Sequence, residues 1–318
     1  MIKRSLGDTG IKVSEVAFGG VEIGIPYGIG IKSTADMLSE ADAIHLLCAA
    51  VDSGINFFDT ARMYGNSETI MGKAFKSFRR EVVIATKCRH LRNENGAIPE
   101  NSKLKELIET SLNESLEALQ TDYVDVFMLH QADLEILDNE DISTIFSELK
   151  KEGRCRATGI STYSSEETNK AIEIGMWDVI QMPFNLMDQR QDAFFTLASH
   201  KGMGIVIRSV LLKGLLSDRG KDLHPALREV EKHIGYYDEL LEGTAFNLST
   251  LATKFALSFP EVSSILVGID RPEYLHKSLE AANGVYLDNA KLKRAKELAF
   301  PDPEFLNLPY WDKMNWLK

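Results

Sequence analysis

The sequence lacks a long hydrophobic run and any excess of basic charge. No apolar stretch approaches the roughly 18 residues that a membrane-spanning helix needs, and no apolar segment of the secretory type follows the basic N-terminal residues. The 36 lysines and arginines are scattered among 47 aspartates and glutamates, which gives a formal net charge of −11. Duplex nucleic acid is bound by clustered positive charge. We therefore expect a cytoplasmic protein with small-molecule partners and no nucleic-acid or membrane partner, and self-association is left open.

Cysteine is also scarce, and no motif of metal ligands is present in the sequence. Cys48, Cys88 and Cys155 are an odd number without C-x-x-C spacing, so neither a disulfide framework nor a zinc knuckle is predicted. No cluster of histidine, aspartate and glutamate has ligand spacing. We therefore predict no metal site, which disfavours a metal-dependent lyase or hydrolase.

Short apolar segments rich in β-branched residues alternate with longer segments of helical period along almost the whole chain. The predicted strands are 16–20, 56–59, 82–87, 124–130, 157–161, 179–183, 204–208 and 263–268. The helices that follow them are predicted to begin near residues 39, 67, 102, 142, 165, 192, 248 and 272. Continuous apolar strands separated by helices imply a parallel sheet covered on both faces. Eight such pairs favour an α/β fold of the (β/α)8 TIM-barrel type.

A doubly wound open sheet is the rival architecture, because it has the same alternation. It normally carries G-x-G-x-x-G after its first strand, whereas the nearest segment here, 28–33, lacks the third glycine. No linker-like composition divides the chain, so residues 1–318 are predicted to form a single domain. Residues 6–14 are predicted to form an N-terminal β-hairpin, and the aromatic C-terminal tail, 300–318, a loop packed over a pocket mouth.

Three polar side chains stand at the ends of predicted strands, namely Asp59, Lys87 and His130. In a parallel barrel these ends meet at one face, where functional groups lie, and Tyr64 follows in the loop after Asp59. Taken singly, each has a structural explanation, such as a helix cap for Asp59. Together they predict a proton relay that faces a carbonyl or an alcohol. We expect the Lys87 ammonium to lower the tyrosine's pKa from about 10, with Asp59 holding the lysine and His130 binding a substrate oxygen.

The chain resembles the aldo-keto reductases over almost its whole length. The segments that carry this resemblance are LGDTGIKVSEVAFGG (6–20), INFFDTARMYGNSE (55–68), IATK (84–87), YVDVFMLH (123–130), EGRCRATGIS (152–161), VIQMPFNLMDQR (179–190), KGLL (213–216) and SILVGIDRPEYL (264–275). The resemblance implies NAD(P)H-dependent reduction of an aldehyde or ketone to an alcohol, or the reverse, with Tyr64 as general acid or base. Lys87 and Asp59 would tune the tyrosine and His130 would orient the substrate. The alternative is a non-catalytic, nicotinamide-binding regulatory or interaction subunit with the same barrel.

The same resemblance implies how a nicotinamide would be held. Ser161 and Gln181 would bind its carboxamide, and Thr162 stands where many relatives have asparagine, so that this contact is weaker or is made by the hydroxyl. Arg208 aligns with the aromatic residue on which the nicotinamide normally stacks. A guanidinium plane can stack as well, or Arg208 forms a local ion pair.

Cofactor choice rests on the last strand and helix. Arg271 would serve the 2′-phosphate of NADP(H), whereas Asp270 would favour the free ribose hydroxyl of NAD(H). NADP(H) is the preferred prediction and NAD(H) the alternative. The other implied cofactor-binding residues are Gly20, Val21, Ser209, Leu211, Gly268, Tyr274 and Ser278. Asp125 and Arg190 match two further family positions and are predicted to form a structural pair.

The predicted substrate pocket contains Arg62, Arg89 and His90 beside the relay, with Tyr310 and Trp311 from the tail covering it. These charges predict a polar or anionic carbonyl compound, such as a sugar or a sugar acid. Alternatively, the two arginines pair with neighbouring aspartates and glutamates, of which the surface has many.

Overall fold

The computed structural model describes residues 1–317, and its strands form a two-stranded hairpin and a closed parallel barrel. The hairpin strands are β1 (Lys3–Ser5) and β2 (Lys12–Ser14). The barrel strands are β3 (Val16–Gly19), β4 (Phe57–Asp59), β5 (Val83–Lys87), β6 (Val124–Leu129), β7 (Cys155–Ser161), β8 (Val179–Pro183), β9 (Gly204–Arg208) and β10 (Val262–Gly268). β10 closes the barrel by pairing with β3, with Gly268 opposite Gly19. The predicted TIM barrel and N-terminal hairpin are confirmed, and the single domain over 1–318 stays a prediction.

Helices cover the outside of the barrel and follow its strands along the chain. They are α1 (Val21–Gly24), α2 (Glu40–Asp52), α3 (Ser67–Phe75), α4 (Asn101–Leu119), α5 (Leu134–Asp138), α6 (Glu140–Lys151), α7 (Ser165–Ile174), α8 (Phe195–His200), α9 (Arg228–Ile234), α10 (Asp238–Leu241), α11 (Leu248–Leu257), α12 (Pro272–Ala281), α13 (Asn289–Glu297) and α14 (Leu308–Lys313). Side-chain caps fix several starts, as where Ser164 forms a capping box with Glu167. Within residues 1–317, no helix is both long and apolar enough to cross a membrane.

The barrel interior is filled by small and medium apolar side chains, and the hairpin closes its N-terminal end. Leu6, Ile11 and Val13 of the hairpin pack against Phe57 and Val126, which point into the barrel, and all five are 0–2% exposed. Functional groups are thereby left to the opposite end, where the strands finish.

The C-terminal tail packs against the barrel as predicted, but it is more regular than a loop. Asn307 accepts a hydrogen bond from the Tyr310 amide, and Pro309 lies in the first turn of α14, where its missing N–H costs nothing. Trp311 is fully buried and its ring lies 5.5 Å from that of Phe305. The sequence prediction missed this helix because its six residues are too short to show a helical period.

Candidate active site

A cavity of about 480 Å³ lies where the barrel strands end. The last residues of β3, β4, β7, β9 and β10 line this cavity, and β8 contributes Gln181, two residues before its end. Asp59, Tyr64 and His130 line it together. Two parts of the chain that are far apart in sequence, 59–64 and residue 130, therefore meet in one space, as the strand-end argument predicted.

Lys87 and Asp59 form a buried ion pair at the floor of this cavity. The Lys87 ammonium donates to Asp59 Oδ2 at 2.5 Å and to the Thr60 carbonyl at 3.0 Å, and the two charged residues are 0% and 3% exposed. Gln181 Nε2 donates to the other carboxylate oxygen, Oδ1, at 2.9 Å. Burial lowers the pKa of Lys87, and the Asp59 carboxylate opposes that effect. The pair is therefore held in one geometry by bonds on both sides.

Tyr64 lies over this pair. The Lys87 nitrogen is 5.0 Å from the centre of the tyrosine ring, and the ring meets that of His130 edge-on at 5.5 Å. The expectation that Lys87 lowers the pKa of Tyr64 is not met. Burial raises that pKa well above its ordinary value, and the Asp59 charge raises it further, since the carboxylate offsets the adjacent ammonium. A phenol of this kind is protonated at neutral pH and therefore carries a proton that it can donate.

His130 is also buried and stays neutral. Burial, with the positive charge of Lys87 and the nearby His90 ring, lowers the pKa of His130 to about 2. The two histidine rings lie 5.1 Å apart. A neutral imidazole carries one N–H that can donate to an oxygen, so His130 can orient a carbonyl without exchanging protons with it.

Ser161, the last residue of β7, lies opposite Gln181 of β8 in register, and both line the cavity. Arg208, at the end of β9, forms no ion pair within residues 1–317. Its Nη2 donates to the Thr162 carbonyl at 2.9 Å, and its guanidinium lies 4.2 Å from the centre of the Tyr163 ring. The other predicted cofactor residues in the wall are Gly20, Val21, Ser209, Leu211, Gly268, Asp270, Tyr274 and Ser278.

Two predicted cofactor residues lie outside this wall. Thr162 is fully buried. Its hydroxyl group forms a hydrogen bond with that of Thr168 at 2.8 Å. Arg271 is exposed where α12 begins. The structure therefore brings neither side chain to the space where a dinucleotide would lie.

Arg219 and Lys277 are two cationic residues of the cavity wall that were not predicted from the sequence. Both line the cavity, and both lie over the Tyr274 ring, at 5.2 and 5.3 Å from its centre. Arg219 also pairs with Asp270 at 3.6 Å. Lys277 could have been predicted from the sequence, because it lies three residues after Tyr274 and therefore on the same face of α12. Arg219 belongs to the long segment after β9, where no periodic pattern marked it.

The two arginines predicted for the substrate pocket are paired with glutamates instead. Arg62 pairs with Glu68 and, at 3.4 Å, with Glu114. Arg89 binds Glu114 at 2.6 Å and is about half exposed. Neither arginine lines the cavity, whereas His90 does. The structure therefore agrees with the alternative prediction, in which both arginines pair with neighbouring acidic residues.

The C-terminal tail reaches the cavity through residues other than the two aromatic ones predicted. Tyr310 is 47% exposed and Trp311 is buried in the core, whereas Leu308, Pro309 and Asp312 line the wall. A helix turns successive side chains to different sides, so a tail treated as a loop could not show which of its residues face the cavity.

The predicted structural pair of Asp125 and Arg190 is not formed. Asp125 pairs with Arg79 at 2.9 Å and with Arg156 at 2.7 Å. Arg190 pairs with Asp188, two residues before it, at 2.8 Å. Asp125 and Arg190 therefore each form ion pairs with other residues that lie nearer to them.

The cavity also has features that fit a bound dinucleotide. Glu22 Oε2 and Arg208 Nε are buried, and neither has a hydrogen-bond partner among the residues described. A Cβ at Gly20 would lie 2.6 Å from the Asp59 carbonyl oxygen and 2.8 Å from Ser67 Oγ, so a glycine is needed for this part of the wall to pack closely against β4 and α3. An end with Arg219 and Lys277, each beside an aspartate of the wall, and an end with Tyr64 thus belong to one cavity.

The sequence profile of the Aldo/keto reductase family matches residues 16–299. The chain therefore belongs to this family of oxidoreductases, which use the nicotinamide cofactors NAD or NADP. It is 31% identical to L-galactose dehydrogenase of Arabidopsis thaliana, covering 87% of each chain. It is 28% identical to the NADH-specific methylglyoxal reductase of Escherichia coli, covering 94% of this chain and 98% of that one. The solved holo form of aldo-keto reductase AKR11C1 from Bacillus halodurans matches with a TM-score of 0.78 and 27% identity, covering 94% and 96% of the two chains.

Proposed function

We propose that this protein reduces an aldehyde or ketone to an alcohol, or catalyses the reverse reaction, with NADP(H) as its cofactor and Tyr64 as general acid or base. One observation carries the proposal. Tyr64 and His130 face one space at 5.5 Å from each other, and the buried pair of Lys87 and Asp59 lies beneath them. The intact tetrad argues against the alternative of a non-catalytic, nicotinamide-binding subunit.

The bound cofactor would supply hydride to the carbonyl carbon or accept it from the alcohol. Tyr64 donates its hydroxyl proton to the carbonyl oxygen, and a phenol with a raised pKa gives up that proton only as charge develops on the oxygen. Neutral His130 donates a hydrogen bond to the same oxygen and fixes its position. Lys87, held by Asp59, stabilises the phenolate that forms. In the oxidative direction the phenolate takes up the proton.

Different residues of the cavity wall would bind different parts of the cofactor. Ser161 and Gln181 would hold the carboxamide, and Arg208 would lie beside the nicotinamide or the diphosphate. The remaining contacts would come from Gly20, Val21, Ser209, Leu211, Gly268, Asp270, Tyr274 and Ser278.

The cations at the far end favour NADP(H). Arg219 and Lys277 lie 5.2 and 5.3 Å from the centre of the Tyr274 ring, where a 2′-phosphate would find two positive charges. Asp270, paired with Arg219 at 3.6 Å, favours the alternative cofactor, NAD(H), because a carboxylate binds free ribose hydroxyls. The methylglyoxal reductase of Escherichia coli, which is named as NADH-specific, also favours NAD(H).

For the substrate we propose a small polar carbonyl compound. His90 and Arg208 line the catalytic end and can bind hydroxyl or carboxylate groups, although Arg62 and Arg89 are engaged by glutamates. Two relatives are named for L-galactose and methylglyoxal, both small and polar.

The test is aldehyde-dependent oxidation of NADPH and of NADH by the wild type and by Tyr64→Phe. Loss of a general acid lowers turnover by about 10²–10⁴-fold, with cofactor affinity retained. Tyr123→Phe is the control, because its ring lies under Arg79 and a phenyl ring preserves that contact. Equal rates for wild type and Tyr64→Phe would contradict the proposal. Cofactor binding without turnover of any carbonyl would support the non-catalytic alternative.

A further inference from the structure

Glu22 occupies an unusual position for an acidic side chain. It belongs to α1, directly after β3, and its carboxyl group folds back over the strand ends. A Cβ at Gly268 would collide with Glu22 Oε1, and one at Gly19 would lie 3.7 Å from Oε2. The carboxyl group therefore lies against the backbone where β10 and β3 finish, and it is part of the cavity wall.

The surroundings of this carboxyl group are more acidic than basic. Asp59 of β4 and Asp270 after β10 act on it as negative charges, and Arg219 from the segment after β9 as a positive charge. Tyr27 and Tyr64 are the other titratable groups that feel its charge. Arg219 is already paired with Asp270. In the described part of the chain Glu22 has no salt bridge, and its Oε2 has no hydrogen-bond partner.

The protonation state follows from these surroundings. Burial above all, with the charges of Asp270 and Asp59, raises the pKa of Glu22 to about 8, while hydrogen bonding to the backbone and Arg219 oppose the shift. At neutral pH the side chain is therefore mostly a carboxylic acid. An acid O–H can donate to an anionic or hydroxyl oxygen, whereas a carboxylate can only accept.

We propose that Glu22 contacts the dinucleotide and binds it as a neutral carboxylic acid, so that cofactor affinity is lost when this residue ionises. The inference rests on the proposed function, since it takes the cavity to hold a dinucleotide. Glu22 lies in the wall shared by Asp59, at the catalytic end, and Arg219, at the far end. A dinucleotide that spans these ends brings its ribose and diphosphate oxygens past the carboxyl group. An ionised Glu22 would repel the diphosphate and add a third negative charge beside two aspartates.

The sign of the pH dependence follows from linkage. If the complex requires the proton and the free protein loses it above about pH 8, the association constant falls as pH rises. Dissociation constants at about pH 9 should then be roughly tenfold higher than those at about pH 7. The 2′-phosphate of NADPH is fully ionised across this range, so it adds no comparable slope.

The experiment is a fluorescence titration of NADPH and NADH into wild type and Glu22→Gln at about pH 7, 8 and 9. The amide is isosteric, uncharged and still a donor, so we expect near-wild-type affinity at neutral pH and no dependence on pH. Glu15→Gln, which alters a buried glutamate at the other end of the barrel, should keep the wild-type slope, with folding checked by a thermal melt. The same slope in wild type and Glu22→Gln would overturn the proposal.

An infrared measurement tests the proton without any cofactor. The difference spectrum of wild type minus Glu22→Gln should contain the carbonyl band of a carboxylic acid at neutral pH, and the band should disappear above the pKa. Absence of this band at neutral pH would overturn the proposal as well. If neither dinucleotide binds the wild type at any pH, the proposed function fails and this contact with it. If binding occurs without the expected slope, only the contact fails.

Discussion

The two ends of the barrel both bury charged side chains, but only the N-terminal end matches nearly all of them with partners. There, Arg4 lies 3.4 Å from the fully buried Glu15 and donates to three main-chain carbonyls within 257–262 at 2.8–3.2 Å. Tyr286 donates to the same carboxylate. Although Glu15 Oε1 has no partner of its own, the charge is compensated by Arg4.

The C-terminal end differs in that its unmatched groups face a cavity. Glu22 Oε2, His130 Nδ1 and Arg208 Nε are buried without partners among residues 1–317, and all three residues line the same space. A buried polar group without a partner costs free energy, and a ligand that supplies the missing bond recovers it. We therefore infer that the N-terminal end contributes to stability and that the C-terminal end binds the ligand, as is typical of TIM barrels.

The largest effect is expected at the buried ion pair of Lys87 and Asp59 at the C-terminal end. Lys87→Met leaves the Asp59 carboxylate buried without its ammonium, which should cost about 3–5 kcal/mol of unfolding free energy, and it should abolish turnover. The double variant Asp59→Asn/Lys87→Met removes both charges and should recover most of the stability but none of the activity. Urea unfolding and carbonyl-dependent cofactor oxidation measure the two effects. A double variant with wild-type turnover would show that the pair has no part in catalysis.

At the N-terminal end we expect a loss of stability without a loss of activity. Arg4→Met leaves Glu15 without its cation and should lower the free energy of unfolding by about 3 kcal/mol. Turnover and cofactor affinity should stay at wild-type values, because the hairpin lies at the opposite end from the cavity. Chemical denaturation and steady-state kinetics on the same preparation test this. A fall in turnover at a temperature where the variant is fully folded would break the division between the two ends.

The smallest effect is expected for the exposed pair beside the active site. Arg89→Ala removes an ion pair with Glu114 in which both side chains are about 40% exposed, and such pairs contribute about 0–1 kcal/mol. The KM values for neutral and anionic aldehydes should both stay unchanged. Glu114→Gln removes the same pair from its other side and is the matched control. A KM that rises for anionic carbonyls alone, in Arg89→Ala and not in Glu114→Gln, would restore Arg89 to the substrate pocket.

Much of the fold was predictable because it depends on local pattern. The strands Val179–Pro183 and Gly204–Arg208 have the bounds predicted from their apolar runs. The juxtaposition of Asp59, Lys87 and His130 was predictable too, since parallel strands finish at one face of a barrel. Tyr64 followed from its place in the loop after β4.

Properties that depend on distant neighbours were not predictable in this way. The raised pKa of Tyr64 comes from its burial and from the partner that Lys87 already has. Arg62 and Arg89 point away from the cavity because Glu114, on α4, lies between them. No pattern near either arginine shows that contact.

By itself, the sequence determined the alternation of strands and helices, the places of Asp59, Lys87 and His130 at strand ends and the family to which the chain belongs, because each is encoded in contiguous residues. The tertiary structure alone decided which charges are neutralised and which face the cavity. Glu22 is the clearest case, since its carboxyl group lies against Gly268 and near Asp270, far along the chain. Electrostatic energies depend on distance in space and on exclusion of water, and barrel closure creates both.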